Sequence, residues 1–494
     1  MRVAAVPVPT CPLARPSLPR TDLTRHCSWP AHRRNWAPAP SGHPSAKQRR
    51  ATHLCGAAAA PAGVDVSSLV DRDLQGTVVV TGGGPAGLAT AAALHQAGIP
   101  VLVLEREAAL STGGSALGLW TNAWRALDAL GVGDVLRQQH PNVQDIELVR
   151  HNGRQLRRFS LSECDGGPHE FRGVRRSNLL AALAAILPSD SLAFGAQVTA
   201  AEPTAAGAAL TLASGQRLEC LAVVGADGAR SAVAAAAGRS PANYCGQSAI
   251  RGVARFPGGL PPQLQAGCIR QVWGPAARAG LYPVSDTELY WFVCFNAAAD
   301  APTSTSPAAW QQEALGVVQG WAWGLPEVVQ ATPLQDLSRS RLLDRWDRMP
   351  ASSGSSSITL AGDSLHPMTP NLGQGGCTAL EDALVLARCL QQQQLPSLAA
   401  ELRGSSSSSG SSRGRAAAVA AAAVQSAIGQ YERERMQRCL PLTIRSYVMG
   451  ALLQAPLPPV ALARDLFVQH AFSPAHFLDH ATFDCGRLEP TRDG

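Results

Sequence analysis

The chain has 494 residues, 46% of them hydrophobic, with a mean hydropathy of −0.01. No apolar run reaches the roughly 18–20 residues that span a bilayer, so a globular protein of two or three domains with a substantial core is expected. The net charge of +6 is unevenly placed: residues 1–64 hold nine Lys/Arg and one acid, Asp22, while the remainder holds 33 Lys/Arg and 35 Asp/Glu, so the basic balance belongs to the N-terminus and does not point to nucleic acid. The twelve cysteines show no C-x-x-C or metal-ligand spacing, which predicts no metal site and suggests buried, unpaired thiols in a reduced compartment.

Residues 1–64 are rich in Arg, Pro, Ser and Ala and lack the apolar core of a secretory signal. They read as an organelle transit peptide, with a chloroplast and a mitochondrial address sharing this composition. The alternative is a disordered tail that stays attached.

The stretch Thr77–Glu105 comes next and organises the chain. Thr77–Val80 predicts a buried strand, Gly82, Gly84 and Gly87 give G-x-G-x-x-G, an Ala-rich helix follows from Pro85 and Ala86, and Val101–Leu104 predicts a second strand. This is a β-α-β dinucleotide unit. Gly82 permits the tight turn, Gly84 lets a pyrophosphate approach the backbone, and Gly87 lets helix and strand pack closely. Glu105, at the end of the second strand, stands where an acid accepts hydrogen bonds from an adenosine ribose. The unit by itself suits FAD and NAD(P) alike.

Beyond it, a Gly113-Gly114 turn leads to a helix that Asn122 is expected to cap, with Trp124, Leu127 and Leu130 on one face. Arg176 stands at the start of a second amphipathic helix that buries Leu179, Leu180 and Leu183; it reads either as a solvated charge or as a phosphate or flavin contact. Residues 192–224 predict an antiparallel meander ending in the apolar run Cys220–Val224, followed at once by Gly225, Ala226, Asp227 and Gly228. From Tyr244 to Phe295 the chain is strand-like and aromatic (Trp273, Tyr282, Tyr290, Trp291, Phe292), which suits a β-rich domain with an apolar cavity or an ordinary β core.

A buried strand returns at Ile358–Ala361, and GDSLHPMTPNLGQGG (362–376) leads into another helix. Residues 404–415 are low-complexity and predict a flexible surface insertion. Tyr447–Ala463 is mostly apolar but broken by Pro456, Pro458 and Pro459; it is too interrupted to span a membrane and suits covering a cavity or touching a membrane surface.

Three motifs in this order, GGGPAG with Glu105, GADG at 225–228 and GDSLHPMTPNLGQGG at 362–376, resemble the single-component FAD-dependent monooxygenases, the aromatic-hydroxylase-like flavoproteins. Finer segments (TNAWRALDALGV, LYPVSDTELYWFVCFN, HPMTPNLGQGGCTALEDALVLA) resemble the plant branch related to zeaxanthin epoxidase. The resemblance implies an α/β fold: a Rossmann-like FAD-binding domain over 72–240 and 355–450, an interleaved β-rich substrate domain over 241–354, and a helical C-terminal segment over 451–494.

It implies that Gly82, Gly84, Pro85, Ala86 and Gly87 hold the FAD pyrophosphate and Glu105 with Arg106 the adenosine end. Arg176 would contact the cofactor, Asp227 and Gly228 would serve FAD and NAD(P)H, Asp363 the ribityl chain, and Pro370, Gly373, Gly375 and Gly376 the flavin ring. Independently of the family, a helix N-terminus stabilises the negative charge of a reduced flavin. The implied chemistry is reduction by NAD(P)H, reaction with O2 to a C4a-hydroperoxyflavin, and transfer of one oxygen atom to a small lipophilic or aromatic substrate by hydroxylation or epoxidation. Thr81, before the glycines, departs from the usual apolar residue.

No residue stands out as an acid–base catalyst; His366 is the candidate by motif position, against a turn-forming role beside Pro367. GWAWGLP (320–326) resembles a halogenase motif, but the essential lysine has no counterpart, since the only lysine is Lys47, so the motif is assigned to helix packing. Two other rivals share the scaffold: a reductase or desaturase of the geranylgeranyl-reductase type, and a flavin-binding protein without oxygenase activity.

Overall fold

Three parallel strands flank and include the glycine motif, and each is built from a β-branched or leucine-rich run buried on both faces. In a computed structural model, which describes residues 63–489 except 65, 70–71, 112–114, 265–266, 302, 348–355 and 405–409, Leu74–Thr81 pairs in parallel with Val101–Leu104 on one side and Arg217–Gly225 on the other. Arg217–Gly225 in turn pairs in parallel with Ile358–Leu360. Leu192–Ala193 extends one edge, and the meander Val198–Thr204, Gly207–Leu212, Arg217–Gly225 forms the other, as its turn signals predict. The expected transit peptide lies outside the described residues up to residue 62; Val64 already bridges to Ala193 in this sheet. The Gly113-Gly114 turn also lies outside them.

A second seven-stranded sheet runs Ser338–Asp344, Asn243–Arg255, Glu288–Asn296, Ala277–Pro283, Cys268–Gly274, Asp145–Arg150, Gln155–Ser160. Its last two strands come from within the expected FAD-binding segment 72–240, so the division by sequence is corrected there. The reason is the ladder: Asp145–Arg150 continues the sheet by parallel pairing with Cys268–Gly274, and a buried Glu147–Arg270 ion pair at 2.7 Å locks the two. Alternation along Glu288–Asn296 splits the aromatic residues. Trp291 faces helices Pro307–Val317 and Leu325–Gln330 as ordinary core, whereas Tyr290 and Phe292 belong with the larger core shared with the first sheet. Trp321 and Trp323 of the GWAWGLP stretch pack under these helices, as assigned: Trp321 is buried, and Trp323 donates its indole N–H to the Arg150 carbonyl at 3.0 Å.

Helix Pro85–Gln96 rests on Leu74–Thr81 and Val101–Leu104 of the first sheet and packs on its other side against helix Gly375–Gln392. The low-complexity stretch departs from expectation: residues 410–415 are already part of the long helix Gly410–Leu453. Asn122 is not a cap either. The helix begins at Thr121 after Trp120, and the Asn122 side chain points into the core. Trp124, Leu127 and Leu130 are buried as predicted.

Candidate active site

Register brings the motifs together. Thr81 is paired with both Leu104 and Gly225, and Gly225 with Leu360. Four parallel strands therefore end on one line, and their next residues, Gly82, Glu105, Ala226–Gly228 and Ala361–Asp363, lie side by side at the carboxyl edge of the sheet. That edge is where open α/β sheets bind ligands.

The glycines behave as their spacing predicts. Gly82 has φ +98° and donates its N–H to the Leu104 carbonyl at 2.8 Å. A Cβ on Gly87 would be driven into the Gly82 carbonyl oxygen. At Gly84 the nearest protein atom to a Cβ is Nη2 of Arg176, 3.8 Å away, so the space over this backbone is open and has a cation at its rim. No side chain caps the helix that starts at Pro85. Glu105 accepts from the Gly83 N–H at 2.5 Å and the Glu107 N–H at 2.9 Å, which fixes its carboxylate beside the turn. Arg176 begins helix Arg176–Ala184 and is half-buried; desolvation lowers its pKa, with Glu105 opposing. Arg106 sits apart, exposed and paired with Glu107.

Asp227 ties two motifs. It accepts from the Ala232 N–H at 2.9 Å and from the Ser364 hydroxyl at 3.2 Å, and Ser364 accepts from the Gly228 N–H at 2.8 Å. Asp363 is open to the cleft and has no hydrogen-bond partner among the described residues. Desolvation by the cleft walls raises its carboxyl above the ordinary range, with His366 and Arg251 pulling the other way. Its Oδ1 lies 3.8 Å from where a Cβ would stand on Gly375, so it faces the uncapped start of helix Gly375–Gln392. Pro370–Leu372 makes one 3-10 turn, and Gly373 at φ +63° swings the chain into that helix.

Beneath this loop lies a buried charge network. Asp382 accepts from the Gly362 N–H at 2.7 Å, from His366 Nε2 at 2.8 Å and from Arg435 Nε at 2.6 Å. Glu381 takes Arg435 at 2.7 Å, Arg438 at 3.0 Å and Asn122 at 2.6 Å, and Asn122 also donates to Gln374 at 2.8 Å. Burial would lower the His366 pKa, but the Asp382 charge outweighs it and holds the imidazole well above its usual range. The same pairings hold Glu381 and Asp382 below the usual carboxylate range against the opposing effect of burial. His366 is therefore a support for the turn. Cys439 completes a His366–Asp382–Cys439 group within 4.8 Å, but its acid and histidine are already engaged by the network.

Next to Gly373, where Trp120 Nε1 would lie 3.1 Å from a Cβ, begins a row of aromatic rings that forms an aromatic wall. Trp120 meets Phe171 at 4.5 Å between centroids, Phe171 meets Tyr282 at 5.2 Å, and Tyr282 stacks on Tyr290 at 4.6 Å. Phe292 continues the row, and Arg278 lies 4.8 Å over its ring. Arg278 is 1% exposed and donates to Asn371 of the Pro370–Gly376 loop at 2.5 Å and to Gln271 at 3.3 Å. It pairs with no carboxylate among the described residues, its Nε has no partner there, and burial lowers its pKa.

A model of the FAD binding domain family matches residues 75–427. Monooxygenase 2 of Arabidopsis thaliana is 30% identical over 84% of this chain and 98% of its own length. The chain belongs to the FAD-dependent monooxygenases. Aurachin C monooxygenase/isomerase of Stigmatella aurantiaca is 33% identical over 76% of this chain and 90% of its own. The fold matches Klebsiella pneumoniae HpxO complexed with FAD and uric acid, with a TM-score of 0.68 and 22% identity over 84% and 98% of the two chains.

The residues present fit FAD. The open backbone at Gly84, the unpartnered Asp363 and two uncapped helix starts would hold the pyrophosphate, the ribityl chain and the pyrimidine edge of the flavin in turn. Sequence reading missed Arg278, Asn371 and the Glu381–Asp382–Arg435–Arg438 support. One signal for Arg278 was available: an arginine inside the otherwise uncharged run Ala277–Pro283 is a buried charge that needs a partner.

Proposed function

We propose that this monooxygenase consumes NAD(P)H and hydroxylates a lipophilic, ring-bearing compound that turns an anionic or carbonyl oxygen toward Arg278. The buried, carboxylate-free Arg278 carries the reading: a desolvated guanidinium beside the flavin-side loop lacks a counter-anion that a substrate can supply. The aromatic wall offers flat apolar surfaces to a ring, and the uric acid of the HpxO complex is a ring of this kind.

Bound FAD supplies the relay of electrons from NAD(P)H and the activation of O2. The chain's own groups position and exclude. Burial pushes the Tyr282 and Tyr290 phenols above their usual range, so at neutral pH they stay protonated and serve as donors, not bases. His366 is turned away to Asp382. With no free base in the wall, a substrate oxygen is best held as an anion by Arg278, which activates a ring toward hydroxylation and favours that outcome over epoxidation.

The test is turnover of FAD-loaded protein with NAD(P)H under ¹⁸O2, using candidate acidic lipophilic ring compounds. One ¹⁸O atom per product is expected. Arg278→Gln should lower kcat/KM by roughly 10–150-fold, the equivalent of a charged hydrogen bond, while FAD content is unchanged. Product formed without ¹⁸O would show a reductase or desaturase instead, and an unaffected Arg278→Gln would remove Arg278 from substrate recognition.

A further inference from the structure

The C-terminal helices are arranged inside out. Helix Pro458–His470 buries its charged pair: Arg464 and Asp465 bond each other at 2.9 Å, Asp465 also pairs with Arg150 at 2.9 Å, and Arg464 donates to the Leu453 carbonyl at 2.6 Å and lies over Trp273. Its apolar residues face outward, with Leu462 54%, Leu466 45% and Phe467 57% exposed. A helix on a water-facing surface carries the opposite pattern. The end of helix Gly410–Leu453, bent 111° from it, likewise exposes Ile444, Val448 and Leu452, and Leu457 in the link between the two helices is 61% exposed. Isolated exposed apolar residues are ordinary, but a contiguous set on two joined helices marks a contact surface.

We propose that this face docks on the surface of a lipid bilayer carrying anionic headgroups. Three observations choose that occupant. Among residues 441–469, all described, the one acid is the buried Asp465, while Arg445 is exposed, so the two helices offer positive charge and no negative charge on this face. At its margin Trp346 and Tyr447 stand edge to face at 5.0 Å, both more than a third exposed; such residues favour the headgroup level. No single helix among the described residues is long and apolar enough to cross a membrane; the two helices pass that test only as a pair bent by 111°, and the buried Arg464–Asp465 pair on their inner side favours lying along the surface over crossing it.

The opposite side of the same helix holds the active-site loop. Asn371 donates to the Ser446 carbonyl at 2.9 Å, and a Cβ on Gly450 would collide with Asn371. Docking therefore sets the flavin-side loop about one helix diameter, roughly 10 Å, from lipid.

Flotation of the full-length, FAD-loaded protein with vesicles of phosphatidylcholine, alone or with a third phosphatidylglycerol, tests this. Binding is expected, stronger with the anionic lipid and weakened by salt. The double variant Leu462→Glu/Phe467→Glu should reduce the bound fraction by about tenfold or more, because two inserted apolar groups become charges repelled by the lipid. Its FAD content and circular dichroism should match the parent, which establishes folding. Failure of the parent to bind vesicles overturns the proposal, as does a parent dimer that the double variant abolishes. Binding that survives the double variant also overturns it and assigns the lipid contact to the basic residues of 1–64.

Discussion

The turn at Gly82–Gly87 and the loop at Gly362–Gly376 are both strand–turn–helix units on one sheet edge, yet they are held in opposite ways. The first is set by backbone and apolar packing: Gly87 against the Gly82 carbonyl, and a helix whose Ala89, Ala92 and Ala93 are fully buried. The second is held from below by two acids, two arginines and a histidine. The difference follows from what each must present. A pyrophosphate needs bare backbone N–H groups and room, and glycine with alanine supplies both. Under the proposed function the longer loop, with two prolines, would hold Asp363 and the helix start against a reacting ring, and the Gly362 turn that opens it is braced by Asp382 from outside it.

The largest effect is expected from breaking the lower support. Arg435 is 0% exposed and bridges Glu381 and Asp382. Arg435→Met leaves both acids with less than full compensation in the core and should cost about 3–5 kcal/mol. Denaturant midpoints read this directly. Loss of FAD should accompany it, since the Gly362 turn hangs on Asp382. A variant within 1 kcal/mol of the parent, a threshold of about one weak hydrogen bond, would mean that the loop does not depend on the network.

Gly87→Ala strikes the first turn. The added methyl meets a backbone oxygen that cannot rotate away, so helix and strand must part, at about 1–3 kcal/mol by the usual cost of overpacking. Flavin absorbance of the purified protein should fall with it. Retained FAD and an unchanged midpoint would show that the close approach is not required.

This contrast also explains what the sequence could reveal. The first unit was legible in full because its parts are contiguous: strand, glycines, helix, second strand and Glu105 fall within about thirty residues, and each has a local signature. The shared edge was legible in part, through three motifs in order, but their alignment required the register of Thr81, Leu104, Gly225 and Leu360. The support was not legible. Asn122 and Glu381 lie 259 residues apart, and Arg435 lies in a helix whose neighbouring sequence reads as a solvated, charged surface. Asn122 departs from its expected cap for the same reason: asparagine near a helix start has a strong local role, and here Glu381 and Gln374 draw its amide N–H groups into the core. The second sheet drew Asp145–Ser160 away from its expected domain because strand pairing is a non-local choice.

The smallest effect separates the two units by pH. His366 faces Asp382 and Cys439, with Asp363 near by, and its folded pKa is raised above the ordinary value of about 6.5. Its contribution to stability is therefore fully present below about pH 6.5 and is lost as pH rises through the folded value. Asp382 and Glu381 are lowered, so their contributions are present above roughly pH 4 and are lost in acid. Stability should then be level between these limits and decline on the alkaline side by at most about 1.4 kcal/mol per pH unit, the slope of one proton. His366→Gln should be less stable than the parent at pH 6, and the gap should narrow as pH rises. The glycine turn is braced by the Glu105 carboxylate and by no histidine among the described residues, so Gly87→Ala should keep the parent's alkaline slope while His366→Gln loses it. Urea midpoints of the three proteins from pH 5 to 9 measure this; equal slopes in all three would mean that the His366–Asp382 pair contributes no pH-dependent stability to the loop at Gly362–Gly376.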